Sequence, residues 1–188
     1  MSLVELIAQA DDRGLAASGL ACLDRCVPLL GGDDEILRPL WASLADSGDV
    51  GEWGARLEHA RLKLAGGGEY DESVEDEAAL LARRMLAAAP VDRAPAQVRV
   101  WADACSVAAL QIHRLLDPMD DAASSVDSRR EGRTEGMSPL VAAELRRQVA
   151  VLELLAGHGA GGLRRALEVS IEGRRVLQAV VSRRARRG

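Results

Sequence analysis

The sequence predicts an all-α protein, a compact bundle of about eight helices. Two observations carry this. Apolar residues recur at helical spacing, most regularly in Val98, Trp101, Cys105, Ala109, Ile112 and Leu116, a pattern that a surface strand cannot use. The apolar residues are mostly Leu, Ala and Val, with no Phe, three Trp and one Tyr, so the aromatic and β-branched runs that favour sheet are scarce. At 188 residues and 48% apolar content the chain can build a sizeable core, and one domain over 1–188 is expected.

The first helix opens at Ser2, whose Ser-x-x-Glu spacing to Glu5 is a capping box, and ends near Asp11-Asp12. A second covers about Leu15 to Leu30, with Leu15, Leu23 and Leu30 inward and Gly31-Gly32 as its stop. Asp33 or Asp34 caps a third, which Pro39 either starts or kinks. Asp49-x-x-Glu52 opens a fourth that buries Trp53, Leu57, Ala60 and Leu64 and stops at Gly66-Gly67-Gly68. The acidic run Glu69, Asp71, Glu72, Glu75, Asp76 and Glu77 suits the positive end of a fifth helix, which buries Val74, Ala78, Leu81 and Met85 and closes at Pro90.

The stripe from Val98 to Leu116 follows Pro95 and forms the sixth helix. From 117 to 137 the chain turns polar, with isolated apolar residues, and reads as one long loop. Ser138-Pro139 restarts helix as a cap followed by a first-turn proline, with Val141, Leu145, Val149 and Leu152 inward. Gly157 to Gly162 is a connector, and Leu163, Leu167, Ile171, Leu177 and Val181 line a last helix that frays into Arg183-Arg184-Ala185-Arg186-Arg187. A short solenoid of helical hairpins is the alternative, suggested by the small-and-leucine texture of Asp12 to Leu30, although no second copy recurs at a fixed spacing.

The net charge of -5 conceals an asymmetry: Met1 to Ser128 carries 11 basic and 23 acidic residues, and Arg129 to Gly188 carries 13 and 6. An acidic helical part, 1–116, and a basic helical pair, 138–187, thus flank the loop, and the simplest reading docks the second on the first. With a single lysine, Lys63, and no asparagine, the abundance of arginine points first to GC-rich coding. The start Met1-Ser2-Leu3-Val4-Glu5 is not that of a secretory signal, no segment is apolar over eighteen residues, and Cys22, Cys26 and Cys105 are too few for a disulfide framework. A cytoplasmic protein without a membrane partner is expected.

Candidate sites are sparse. Cys22 and Cys26 share a helical face, but zinc needs two more ligands and no histidine pair stands nearby, so these thiols and Cys105 read as small core residues. His59, His113 and His158 stand apart: His59 reads as surface, and His113, bordering the Val98 to Leu116 stripe, is either a satisfied half-buried histidine or a base facing a carboxylate across the bundle. The pairs Asp11-Asp12, Asp33-Asp34 and Asp120-Asp121 read as caps rather than magnesium ligands.

The connector Gly157-His158-Gly159-Ala160-Gly161-Gly162 has the glycine content of a phosphate-binding loop, but a helix precedes it and the Lys-Ser/Thr ending is absent, which excludes dinucleotide and P-loop folds. What remains is an anion held by His158, Arg164 and Arg165 at a helix start. Arg174, Arg175, Arg183, Arg184, Arg186 and Arg187 are the candidate partner-binding set. No catalytic constellation or cofactor motif appears, so the function expected is a non-enzymatic protein–protein interaction module, an adaptor, regulator or inhibitor with a protein partner. Two alternatives stand beside it: a small-molecule- or metal-binding helical enzyme built on His113, and a nucleic-acid-associated protein using the basic last helix. Homo-oligomers would use an uncovered helix face.

Overall fold

The computed structural model describes residues 1–32, 35–45, 50–64, 74–119 and 124–187, without the side chains of 50, 51 and 74–76. Among the described residues it holds nine α-helices and no strand. They are α1 (Leu3–Gln9), α2 (Asp12–Arg25), α3 (Arg38–Ala45), α4 (Val50–Leu64), α5 (Val74–Ala88), α6 (Pro95–Leu116), α7 (Val126–Arg130), α8 (Pro139–His158) and α9 (Leu163–Arg187), with 3-10 turns at Val27–Leu30 and Gly159–Gly162.

The capping box at Ser2 forms in both directions, with Glu5 N–H donating to Ser2 Oγ and Ser2 N–H to the Glu5 carboxylate. Asp11 caps α2 by accepting from Gly14 N–H at 2.7 Å. That helix starts earlier and stops earlier than its leucine spacing suggests. Pro28 has no N–H for the carbonyl of Asp24 and its ring would press on it, so the α-helix ends at Arg25 and tightens into a 3-10 turn closed by Gly31 at φ 68°. Pro39 stands in the first turn of α3, which begins at Arg38 rather than kinking. The caps expected at Asp33, Asp34 and Asp49, the glycine stop at 66–68, the acidic residues Glu69, Asp71, Glu72, Glu75 and Asp76, the side chain of Val74 and the pair Asp120-Asp121 lie outside the described residues.

Every residue of α2 from Gly14 to Arg25 is buried, because its neighbours close over all its faces: α6, α8 and α9 pack along it, with α3 and α5 beside them. Small side chains permit this. Gly19 faces the ring of Trp101 so closely that a Cβ there would stand 2.6 Å from Cζ3. In a solenoid each unit touches only its neighbours along the chain, whereas α2 packs on helices far away in sequence, so the arrangement is a bundle. One continuous apolar core runs from Leu3 to Leu177 and takes in the six stripe residues of α6 and Trp53, Leu57, Ala60 and Leu64 of α4. The three indoles are buried with their N–H groups satisfied: Trp41 donates to Asp24, Trp53 to the Pro90 carbonyl and Trp101 to the Met85 carbonyl.

The polar stretch 117–137, expected to be one loop, contains α7. Val126 and Met137 pack against the core, and guanidinium groups add polar anchors: Arg130 donates to Asp103 and to Ser106 of α6, and Arg129 to the carbonyls of Arg133 and Glu135. Ser138 is the N-cap residue of α8 and Pro139 its first residue, as the sequence suggests, but the serine hydroxyl makes no capping bond. The Leu140 N–H donates instead to the carboxylate of Asp117 at 3.2 Å, tying the end of α6 to the start of α8, and Ser138 Oγ is buried with no partner among the described residues. The last helix does not fray at Arg183. It continues to Arg187, helped by Gln178, Arg183 and Arg186 bonding along it. Among the described residues no helix is long and apolar enough to cross a membrane.

Candidate functional site

Two neighbouring residues near the end of α2 send opposite charges into the core. Arg25 is completely buried and its guanidinium meets the completely buried Glu144 of α8 in a fork, Nε to Oε2 at 2.7 Å and Nη2 to Oε1 at 2.7 Å. Gln148, one turn further along α8, donates to Glu144 Oε1 at 2.9 Å and to the Ser106 carbonyl, and its own oxygen accepts from Ser106 Oγ at 2.6 Å. Arg130 extends the chain of bonds through Ser106 to Asp103. His113 of α6 closes the other side, with Nδ1 2.6 Å from the Ala109 carbonyl and Nε2 3.5 Å from Glu144 Oε2. The network therefore links α2, α6, α7 and α8.

Asp24 turns the other way. It accepts from Trp41 of α3 and from Arg174 of α9. Gly173 makes room for this crowding, since a Cβ on it would run into the side chains of Arg25 and Arg147.

Burial and partners set the charge states. Burial pushes the Glu144 carboxyl up, but Arg25 and His113, with the bonds from Arg25 and Gln148, outweigh it and hold the group below its ordinary range, ionised. Asp24 has fewer donors, and burial leaves it above its ordinary range despite Arg174 and Trp41. Burial lowers His113, against the pull of Glu144, so the imidazole is held neutral more strongly than in water. Burial also pushes the Cys22 thiol up to about 12 in spite of Arg25, whose Nη2 lies 3.5 Å from the sulfur. Cys26 and Cys105 are raised as well, and all three cysteines are free and buried. Such thiols are core residues without nucleophilic character. Among the described residues no three His, Cys, Asp or Glu groups stand where they could share a metal ion.

The sequence singled out His113 as either a satisfied half-buried histidine or a base facing a carboxylate; the ring is sealed rather than half-buried, its Nδ1 meets the Ala109 carbonyl, and Glu144 of α8 stands opposite. His59 is exposed on α4 as expected. Arg25, Glu144, Gln148 and Ser106 went unnoticed in the sequence because a charged or polar residue reads as surface. Only the placement of Arg25 on a helix made of Gly, Ala, Ser and Leu signalled otherwise.

The predicted anion residues flank the 3-10 turn at Gly159–Gly162. His158, Arg164 and Arg165 are exposed, Arg164 faces Glu168 at 3.5 Å, and the Leu163 N–H donates to Ala160 as α9 continues out of the 3-10 turn. The partner-binding set divides. Arg174 is buried on Asp24, and Arg184 is half-buried and donates to the Leu116 carbonyl at the C-terminus of α6, where a positive charge suits the helix dipole. Arg175, Arg183, Arg186 and Arg187 remain exposed on α9. Arg174 of the basic part pairs with Asp24 of the acidic one, and Arg130 of the intervening stretch with Asp103, yet the sealed pair runs in reverse, with its arginine in the acidic part and its glutamate in the basic part.

Fold and interior together define an all-α bundle with a buried polar network at its centre and exposed arginines on α9. No protein-family model matches the sequence, and no curated protein and no solved structure is similar to it.

Proposed function

We propose that this chain is a non-enzymatic, cytoplasmic interaction module that receives an acidic segment of a protein partner on the exposed arginines of α9. The observation that carries this reading is the contrast in access. Arg175, Arg183, Arg186 and Arg187 are exposed on a helix that is regular to its last described residue, and residues 173–188 contain no Asp or Glu to neutralise them. His113, Glu144 and Cys22, the groups with catalytic chemistry, are 1%, 0% and 1% exposed, so no substrate reaches them without the bundle opening. Free thiols in a network that needs no cross-link support a reducing compartment. Arginine also suits this task because its planar fork engages a carboxylate through two parallel bonds.

Fluorescence anisotropy with a labelled poly-glutamate peptide, random-sequence duplex DNA and random RNA tests the proposal on the full chain and on the quadruple variant Arg175→Ala, Arg183→Ala, Arg186→Ala, Arg187→Ala. The acidic peptide is expected to bind the parent chain and to lose at least tenfold in affinity to the variant, with binding weakening as salt rises. No binding of the peptide, or equal binding by both chains, overturns the reading. Tighter, salt-dependent binding of DNA or RNA assigns the same arginines to phosphate contacts and replaces the partner class.

A further inference from the structure

The sealed network leaves an acceptor position of Glu144 unfilled, and that position falls between α6 and α8. Glu144 has room for about four hydrogen bonds on its two oxygens. Three are made, from Arg25 Nε, Arg25 Nη2 and Gln148 Nε2, and the free position on Oε2 is the one that His113 Nε2 faces at 3.5 Å. The other ring nitrogen fixes the tautomer. At 2.6 Å, His113 Nδ1 meets a backbone carbonyl, Ala109 O, which can only accept, so Nδ1 carries the hydrogen. A neutral ring then presents the lone pair of Nε2 to a carboxylate oxygen, and no hydrogen bond spans the gap.

We propose that His113 is a proton-operated latch: a proton taken from water onto Nε2 turns this gap into a charge-assisted bond to Glu144 Oε2 and draws α6 and α8 together. The charged groups that act on the ring from the packed elements are Glu144 and Arg147 of α8 and Arg25 of α2. Burial and the two arginines oppose the imidazolium and Glu144 favours it, which places closure below the ordinary histidine range. The proton reaches the ring through local opening of the bundle, since the ring is 1% exposed. The latch is placed to matter beyond its own contact. α8 packs along α9, and Arg147 of α8 lies against Gly173 of α9 and 3.7 Å from Glu172, so a shift of α8 reaches the helix that bears the exposed arginines.

Imidazole nitrogen NMR of the uniformly labelled full chain, followed from alkaline to acidic pH, tests the latch. In the neutral state the His113 nitrogens are expected to show hydrogen on Nδ1 and an acceptor Nε2. On acidification Nε2 gains a slowly exchanging proton with a hydrogen-bonded shift. Glu144→Gln is expected to move the His113 midpoint down by at least one pH unit, a tenfold loss of proton affinity. If Glu144→Gln does not fold, Glu144→Asp, which keeps the charge and lengthens the gap, is expected to lower the midpoint and to abolish the hydrogen-bonded Nε2 signal. A neutral ring with its hydrogen on Nε2, a His113 that does not titrate while the chain remains folded, or a midpoint indifferent to both substitutions overturns the proposal.

Discussion

Asp24 and Arg25 are adjacent on α2, carry opposite charges and are equally hidden, yet they sit in unlike surroundings. Arg25 finds a carboxylate that is bonded on both oxygens and braced by Gln148, so the pair remains charged although neither member touches water. Asp24 finds one guanidinium and one indole, and the guanidinium of Arg174 is near enough to the surface to keep 8% of its side chain exposed. The difference teaches that depth alone does not decide the state of a buried charge. The charges and donors set against burial decide it: at Glu144 they outweigh burial and hold the group ionised, and at Asp24 they do not, so its carboxyl stays above the ordinary range.

Breaking the sealed pair should have the largest effect. Glu144→Leu strands Arg25 in the core and is expected to cost about 3–5 kcal/mol in denaturant unfolding. Adding Arg25→Met to the same chain should recover nearly all of it, because the charge and its partner leave together; a double variant no more stable than the single one would mean that the glutamate acts through something other than Arg25. The other pair should tolerate more. Asp24→Asn keeps an acceptor for Trp41 and leaves Arg174 able to turn toward solvent, and about 1–2 kcal/mol is expected from thermal unfolding.

The pH dependence of stability separates the groups further. A histidine held below its ordinary value binds its proton less readily in the native chain than in the unfolded one, so its contribution is present at neutral pH and is lost as pH falls from the ordinary histidine range through the lowered native value. Glu144, also lowered, loses its contribution only further down, below the ordinary carboxylate range. His113→Gln is therefore expected to flatten the unfolding midpoint on the mildly acidic side and leave the steeper acid limb in place. Smallest of all should be the surface: replacing Arg183, Arg186 and Arg187 with alanine is expected to change stability by no more than about 0.5 kcal/mol in the same assay.

Helices were legible in the sequence wherever one face is apolar and the other is not. The Val98 to Leu116 stripe is buried residue for residue, and the box at Ser2 forms as read. The reading failed where that contrast disappears. α2 has no solvent face, so its leucine spacing described only part of what it buries, and its small residues, noticed as repeat-like texture, were in fact the condition for close approach on every side. It failed again where a charge serves the interior. Arg174, Arg130 and Arg25 look like any surface arginine until their carboxylates, on other helices, are in view. Asp117 capping α8 from the end of α6 is the same kind of long-range partnership, and no local window contains it. Of the candidate site, His113 was visible and its sealing was not.

The central position of α2 also bears on how the chain is made. Its two ion pairs join residues 119 and 150 positions apart. Helical proteins usually fold on local contacts and hence quickly. Here the helix at the centre is made before the helices that neutralise it. Until α8 and α9 have been made, Asp24 and Arg25 lack these partners, so the bundle completes its centre only once both helices are present. A slow final folding step, sensitive to trimming of α9, is the kinetic signature expected of that order of assembly.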